Sequence, residues 1–382
     1  MKEPEMARIL FVTWDGGGNV APAVGIAQEM LRRGEEVRFL GQEQQREALE
    51  RAGFAFASYR KPGPWTATGK RGAVTNAIGF LRLLTGRGLG RDLVAEVKKT
   101  PTDLVVIDCL LFGALNSAAR AGLRRAVLVH SHYTAVDRKM ASGAPGAVAR
   151  MSGLRPRKLW AEADLVIVAT LEELDRPAHP KSAVPLSYTG PVLPGLARHK
   201  TSPAAQATPT ILVSFSTTYV AGQAQVLQKV LDAVGDLPVR VLLTTGPAVE
   251  PNELRAPANA ELHRYLPHAE VMPTVSLVVG HGGHSTTMLA LAHDLPLVIL
   301  PINLMFDQVL IGRAIEEERA GAMLPSSSPP AEIRTVIERV LADDSCRGEA
   351  QRLGKSIRAS RGTETAAQLL QSLMATSSTP SG

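Results

Sequence analysis

Between Ser276 and Gln308 the chain reads SLVVGHGGHSTTMLALAHDLPLVILPINLMFDQ, an order of residue types that suits a polyanion beside a set of hydroxyls. Leu277 to Val279 is short, apolar and uncharged, as a strand buried on both faces of a parallel sheet must be. Gly282 and Gly283 then let the backbone come close to a ligand, and Ser285, Thr286 and Thr287 suit the cap and first turn of a helix through about Leu291. A helix start presents unpaired N–H donors and the positive end of the helix dipole. A diphosphate can be held there, with the hydroxyls and the imidazole of His281 as further donors. Pro296 to Leu300 reads as a second buried strand, broken by Pro301, which delivers Asp307 and Gln308 on the segment that follows. A carboxylate and an amide there can grip sugar-like hydroxyls. A lone Gly-Gly pair is commonly no more than a capped β–α turn; the succession of strand, turn, helix, strand and Asp-Gln goes beyond that.

This segment resembles the donor signature of glycosyltransferase family one, the nucleotide-sugar-dependent transferases that include antibiotic and macrolide glycosyltransferases. Their bacterial pattern is His-Gly-Gly-x-Gly-Thr-Thr, then Gly-x-Pro, a strand, Pro, and Asp-Gln. The resemblance implies that His281 contacts the donor phosphate, that Thr286 and Thr287 bind phosphate through hydroxyls, and that Asp307 and Gln308 hold the sugar. Ser285 stands where bacterial members usually have Gly, and Asp294 where they have the Gly before Leu-Pro. The plant-type members carry a ribose-binding Glu at the position of Leu289, so UDP and dTDP both remain open as the nucleotide. Two more segments fit the donor side. Phe215-Ser216-Thr217-Thr218 resembles the family's turn beside sugar and phosphate, with Ser216 for the usual Gly. HRYLPH, His263 to His268, resembles the segment that cradles the nucleobase, with Tyr265 placed to stack on the base and Leu266 to offer backbone groups to its edge. Taken without the resemblance, the Ser/Thr cluster is ordinary turn chemistry and the Tyr a half-buried core residue.

The first β–α loop departs from the family. TWDGGGNVAPAVGIAQEMLRRGEEV resembles Gly-His-x-x-Pro followed by a helix, and alignment on Pro22 puts Asn19 where the family has its catalytic His. That His deprotonates the acceptor, oriented by an Asp that Asp108 matches. An amide cannot take a proton as a base. Asp108, Asp15, His130, His132 and Asp137 all stand at or just after expected strand ends. Asp108 is the first choice of base, Asp15 the second, and His132 the next. Each is otherwise a solvated loop residue or a helix cap.

Gly16, Gly17 and Gly18 lack the G-x-G-x-x-G spacing of a dinucleotide site, which argues against an oxidoreductase. The two cysteines, Cys109 and Cys346, give neither a disulfide framework nor zinc spacing, and no metal cluster is visible. A net charge of +6 with only 4% aromatic residues leaves the Lys and Arg scattered, which does not suit nucleic acid. No signal-peptide core or membrane-length apolar run is present, so a cytoplasmic location is expected. Ala73 to Lys99 mixes Leu and Phe with Arg, Lys and Gly, as either a solvated helical hairpin or a lipid-facing acceptor loop with peripheral membrane contact would.

Positioning these residues takes two α/β halves. Strands are expected at Ile9 to Thr13, Val37 to Leu40, Leu104 to Ile107, Ala126 to Val129 and Leu165 to Val168, with helices at Pro22 to Arg33, near 43–52 and 112–121. The second half restarts at Ile211 to Phe215 and Val239 to Thr244. Alternating elements of this kind imply doubly wound sheets, and the resemblance implies the GT-B architecture of two facing Rossmann-like domains. The expected division is an acceptor domain at 1–195, a linker at 196–209, a donor domain at 210–358, and a final helix and tail at 359–382 that return to the first domain. The implied activity is inverting, metal-independent transfer from a UDP- or dTDP-sugar to a small natural-product or phenolic acceptor, without a cofactor. Alternatives are C-glycosylation, a glycolipid or sterol acceptor, and a non-catalytic donor-binding relative that lost its base. The sequence does not fix the oligomeric state.

Overall fold

A computed structural model describes residues 6–60, 73–175, 184–193, 208–304 and 306–375. Most of the expected linker, the first five residues and the tail beyond Ala375 lie outside the described residues. The chain divides into two units, one running to Pro194 and resuming at Arg361, the other spanning Gly195–Ser360.

Among the described residues the first unit holds seven parallel strands: β1 (Arg8–Val12), β2 (Glu36–Gly41), β3 (Ala55–Ser58), β4 (Leu104–Asp108), β5 (Arg125–Val129), β6 (Leu165–Val168) and β7 (Leu186–Tyr188). They lie in the order β3-β2-β1-β4-β5-β6-β7. The chain builds outward from β1 to β3, then returns to start β4 on the other side of β1. The loops leaving β1 and β4 therefore part at their carboxyl ends, which is where doubly wound sheets bind ligands. β4 and β5 are buried along their whole length, consistent with their Val- and Leu-rich runs. Their register pairs Asp108 with Leu128.

The Val20–Arg32 helix lays Ile26 and Met30 on this sheet, beside the stacked rings of Phe11 and Phe39, whose centroids are 5.2 Å apart. On the same layer sits the last helix, Gly362–Ala375, which buries Ala366, Ala367 and Leu370 completely. Polar contacts fix it there. Arg33 donates to Gln371 Oε1 at 2.8 Å and to the Glu364 carbonyl at 3.0 Å, and Gln371 donates to Glu35 at 3.0 Å. The Ala73 to Lys99 stretch forms two helices, Ala73–Thr85 and Arg87–Lys99. The first buries Phe80, Leu83 and Leu84 while leaving Val74 and Ile78 exposed.

Among its described residues the second unit repeats the plan with six parallel strands: β8 (Thr210–Ser214), β9 (Arg240–Thr244), β10 (Ala260–His263), β11 (Leu277–Gly280), β12 (Leu297–Ile299) and β13 (Gly321–Met323). Their order is β10-β9-β8-β11-β12-β13, so the reversal falls between β8 and β11. Helices Gln223–Val234 and Pro330–Ala342 cover one face with Leu227, Val230, Ile333 and Ile337. After the His284–Ala292 helix the chain turns through Asp294 in the left-handed region, φ 63°. That conformation costs a non-glycine residue roughly 1–2 kcal/mol. Arg358 offsets it, donating to Asp294 Oδ1 at 2.7 Å and to the Ala292 carbonyl at 2.6 Å. No helix among the described residues is long and apolar enough to cross a membrane.

Because Leu370 is fully buried against the first helix, Leu370→Ala is expected to destabilise the full-length chain by about 2–5 kcal/mol in urea unfolding. A loss below about half a kcal/mol would mean that the last helix is not part of that core.

Candidate active site

At the carboxyl ends of β1, β4 and β5 three loops close around one carboxylate. Asp108 ends β4 and is 4% exposed. Its Oδ1 accepts the Leu110 N–H at 2.9 Å, and its Oδ2 accepts the Asn19 amide at 3.2 Å. His130, just past β5, brings Nδ1 to 2.9 Å from the same Oδ2. The register explains this meeting. Leu128 lies opposite Asp108, and His130 two residues on falls on the same face of the sheet.

Asn19 is locked by its own bonds. Oδ1 accepts the Gly16 N–H at 3.0 Å, and Nδ2 donates to the Trp14 carbonyl at 3.0 Å as well as to Asp108. Flipping the amide would set its oxygen against a carbonyl and a carboxylate, so this orientation is the only one that satisfies all three. The side chain does not cap the helix that follows it. A Cβ on Gly16 would stand 2.6 Å from Asn19 Oδ1 and from the Trp14 ring, so this glycine serves the Asn19 contact.

Burial pushes the Asp108 carboxyl up, but His130, the Leu110 N–H and Trp14 outweigh it and hold the acid below its ordinary range. For His130, burial favours the neutral ring, yet the neighbouring Asp108 and Cys109 raise it well above the usual histidine value. Buried Cys109, 3.9 Å from His130 Nδ1, is held as a thiol by desolvation and by Asp108.

The expectation that Asp108 itself is the base does not fit this geometry. Both of its oxygens are taken by interior donors, and a carboxylate stabilised in its charged form is a poor proton acceptor. His132 is 2% exposed at the start of the Tyr133–Ala135 turn, directed into the interior. Asp137 is bound by Arg157 through two contacts of 2.6 Å. Asp15 is partly exposed; burial raises its carboxyl against a 3.5 Å contact from Gln44. His130, with its side chain 16% exposed, is the imidazole that the site brings to Asp108.

Among the described residues, Asp108, Cys109 and His130 are the one trio of such groups close enough to share a metal ion, within 4.8 Å of one another. Their contacts are those of a hydrogen-bonded set. Carboxylate and thiol both approach the single Nδ1, and burial and Asp108 push the Cys109 thiol up.

In the second unit the loops after β8, β11 and β12 form the corresponding site. Gly282 takes φ 83°, and a Cβ there would stand 2.9 Å from the Gln308 carbonyl, so the turn after β11 is pressed against the segment after β12. Gly283 caps the His284–Ala292 helix, and a Cβ on it would lie 2.6 Å from His281 Nε2. The imidazole thus lies over the helix start, with the Phe215 ring centroid 6.1 Å away. Burial lowers His281 to about 4, against Asp307 and the Ser214 carbonyl, which favour the proton. Near pH 7 the ring is neutral and has one N–H to donate.

Ser285 and Thr286 are partly exposed in the first helical turn, whereas Thr287 is 1% exposed. Ser216 is also buried: its Oγ accepts the Thr218 N–H at 3.0 Å and its carbonyl accepts Gln223 Nε2 at 3.0 Å. Thr287 and Ser216 are thus less open than Thr217, which is exposed on that turn. Gln308 Oε1 accepts the N–H groups of Ile302 and Asn303 at 2.9 and 2.8 Å. Only its Nε2 remains for a ligand. Asp307, which precedes the Gln308–Glu317 helix, is partly exposed. Tyr265 is 77% exposed, and Leu266 is half-buried beside it. Gln223 escaped the sequence reading, since a Gln at a helix start carries no motif. His130 stood there as a candidate, but its pairing with Asp108 depends on strand adjacency.

Residues 228–373 match the family described as erythromycin biosynthesis protein CIII-like, C-terminal domain. The 4'-demethylrebeccamycin synthase of Lentzea aerocolonigenes is 26% identical, the alignment covering 96% of this chain and 100% of that protein. Among solved structures, the calicheamicin glycosyltransferase CalG4 superposes with a TM-score of 0.78 at 23% identity, over 98% of this chain and 100% of that one. The glycosyltransferase VinC, solved in complex with dTDP, gives a TM-score of 0.71 at 18% identity, over 97% and 100%.

His281 yields a stability test with a definite sign. Its folded value of about 4 lies below the ordinary 6.5, so the unfolded chain binds the extra proton between those values. Stability is lost as pH falls from 6.5 toward 4, by about 3 kcal/mol if the shift is taken whole. His281→Gln is expected to flatten that part of the urea-unfolding profile. An acid slope equal to wild type would show that this ring does not titrate so low.

Proposed function

We propose that this chain, a GT-B glycosyltransferase of the antibiotic-glycosyltransferase type, is an inverting, metal-independent enzyme that moves a sugar from dTDP or UDP to a small natural-product or phenolic acceptor. The observation that carries the reading is the cradle after β11: the Gly282-Gly283 turn, the His281 ring over the helix start, and Asp307 and Gln308 against the same turn. The helix N–H groups and dipole meet the diphosphate, with Ser285, Thr286 and His281 as added donors. Asp307 and Gln308 Nε2 take the sugar hydroxyls, and exposed Tyr265 stacks on the base.

Charge develops on the departing diphosphate while the acceptor oxygen attacks the opposite face of the anomeric carbon. Fixed N–H dipoles aimed at the leaving oxygens stabilise that charge without reorganising, a role that requires neither a metal nor a cofactor. An apolar acceptor is supported by Val74 and Ile78, 73% and 46% exposed on the Ala73–Thr85 helix, whose Phe80 packs against Trp14 in the Asn19 loop.

The test is calorimetry with dTDP, UDP and their glucose conjugates, followed by transfer assays with and without EDTA. His281→Ala is expected to weaken nucleotide and sugar nucleotide alike by about 1.5–3 kcal/mol. Gln308→Glu keeps the acceptor oxygen for Ile302 and Asn303 but removes the Nε2 donor, so its loss should be larger for the sugar conjugate than for the bare nucleotide. Equal losses would move the sugar pocket elsewhere. Transfer that stops with EDTA and returns with a divalent cation would end the metal-independent reading, and an α-linked product from an α-linked donor would end the inverting one.

A further inference from the structure

We propose that His130 is the general base of the transfer reaction, with Asp108 and Asn19 as positioning residues, so that the base has moved from the first β–α loop to the loop after β5. This inference rests on the reading of the chain as a nucleotide-sugar transferase. The family's base position holds Asn19, which has no proton-accepting capacity and whose three hydrogen bonds are all used in holding the loop and Asp108. The oxygen that such a base would pair with, Asp108 Oδ2, is occupied by His130 Nδ1 at 2.9 Å.

With Nδ1–H donated to the carboxylate, Nε2 is the ring nitrogen left to take a proton. The tautomer is fixed by an acid that is itself pinned by Leu110 N–H and Asn19 Nδ2. The ring is partly open, its side chain 16% exposed, while its carboxylate partner is buried. In the step itself, His130 Nε2 takes the acceptor hydroxyl proton as the acceptor oxygen bonds to the anomeric carbon. The bond from that carbon to the diphosphate oxygen breaks, and its electron pair leaves with the nucleotide diphosphate. Asp108 stays a carboxylate throughout and stabilises the imidazolium, which then releases its proton to water.

The groups that tune His130 are Asp108 and Cys109 from the end of β4, with Asn19 and Trp14 acting through Asp108 and the Tyr59 phenol buried near that carboxylate. Asp108 and Cys109 hold the imidazolium, so the free base forms only above the ordinary histidine range. The acid limb of the rate profile should then lie above pH 6.5.

The test uses the full chain with dTDP-glucose and UDP-glucose as donors and a series of para-substituted phenols as acceptors, comparing wild type with His130→Gln, Asp108→Asn and Asp15→Asn. His130→Gln is expected to bind dTDP as wild type does and to lose about a hundredfold or more with the least acidic phenol. The loss should shrink steadily as phenol acidity rises, because an acceptor that is already ionised needs no base. Asp108→Asn should lower the His130 titration followed by NMR of its ring. A loss of equal size across the phenol series makes His130 structural and overturns the proposal. So does an acidity-dependent loss in Asp15→Asn beside near-wild-type rates in His130→Gln. An unchanged His130 titration in Asp108→Asn breaks the pair whatever the turnover. Wild-type protein that binds neither dTDP nor UDP would instead refute the nucleotide-sugar reading, and the NMR titration would still judge the pair.

Discussion

A carboxylate buried at the end of a central strand has to be met by donors from every loop around it, and in this chain that requirement organises the first unit. Removing such a charge from water costs several kcal/mol unless hydrogen bonds replace the lost solvent. Asp108 obtains them from three places: its own loop through Leu110, the loop after β1 through Asn19, and the loop after β5 through His130. The Gly-rich loop is consequently shaped by a hydrogen-bond demand. Gly16 leaves room for Asn19 Oδ1, and the resulting turn places Trp14 where it packs on Phe80 of the Ala73–Thr85 helix. One buried charge thereby fixes the geometry of three connections that are otherwise free to vary.

In the donor-binding reading proposed above, the second unit solves the converse problem, preparing a place for a charge that arrives with a ligand. A fixed cation would serve, but the cradle holds a neutral imidazole and helix N–H groups. Gly283 allows the His281 ring to rest on the helix start, with Nε2 beside it. Gln308 shows how such a cradle is made rigid. Its oxygen is spent on the backbone of Ile302 and Asn303, which fixes the amide plane and aims the remaining N–H group. Asn19 and Asp108 lie at or past the ends of the strands on either side of the reversal in the first sheet, and Ser216 and His281 follow those in the second, where neighbouring loops diverge.

The central strands were legible because burial on both faces forces apolar runs, and β1, β2, β4, β5, β6, β8, β9, β11 and β12 all appear within a residue or two of their expected spans. The strands that were not named are β3, β7, β10 and β13, with sequences AFAS, LSY, AELH and GAM. All four are sheet edges, where among the described residues one side has no strand neighbour and the pattern weakens. The turn after β11 was legible for a related reason: turn, cap and helix are contiguous in sequence. What stayed hidden is long-range. That Asp108 meets His130 depends on β4 and β5 being neighbours in register, and that Thr287 and Ser216 are buried depends on packing from other elements.

The pairing on Asp108 also explains how an amide can stand where a titrating ring is expected. Oδ2 accepts two donors at once, Asn19 Nδ2 and His130 Nδ1, and these make different demands on it. An amide donates the same bond at every pH, so Asn19 can hold the carboxylate and the Trp14 carbonyl without being disturbed by a proton transfer nearby. His130 can gain and lose a proton on its far nitrogen while its Nδ1–H stays on the carboxylate. Two imidazoles on one oxygen would both titrate, and protonation of either would lower the basicity of the other. With Asn19 as the inert strut, titration at this carboxylate is confined to one ring, whose side chain is 16% exposed.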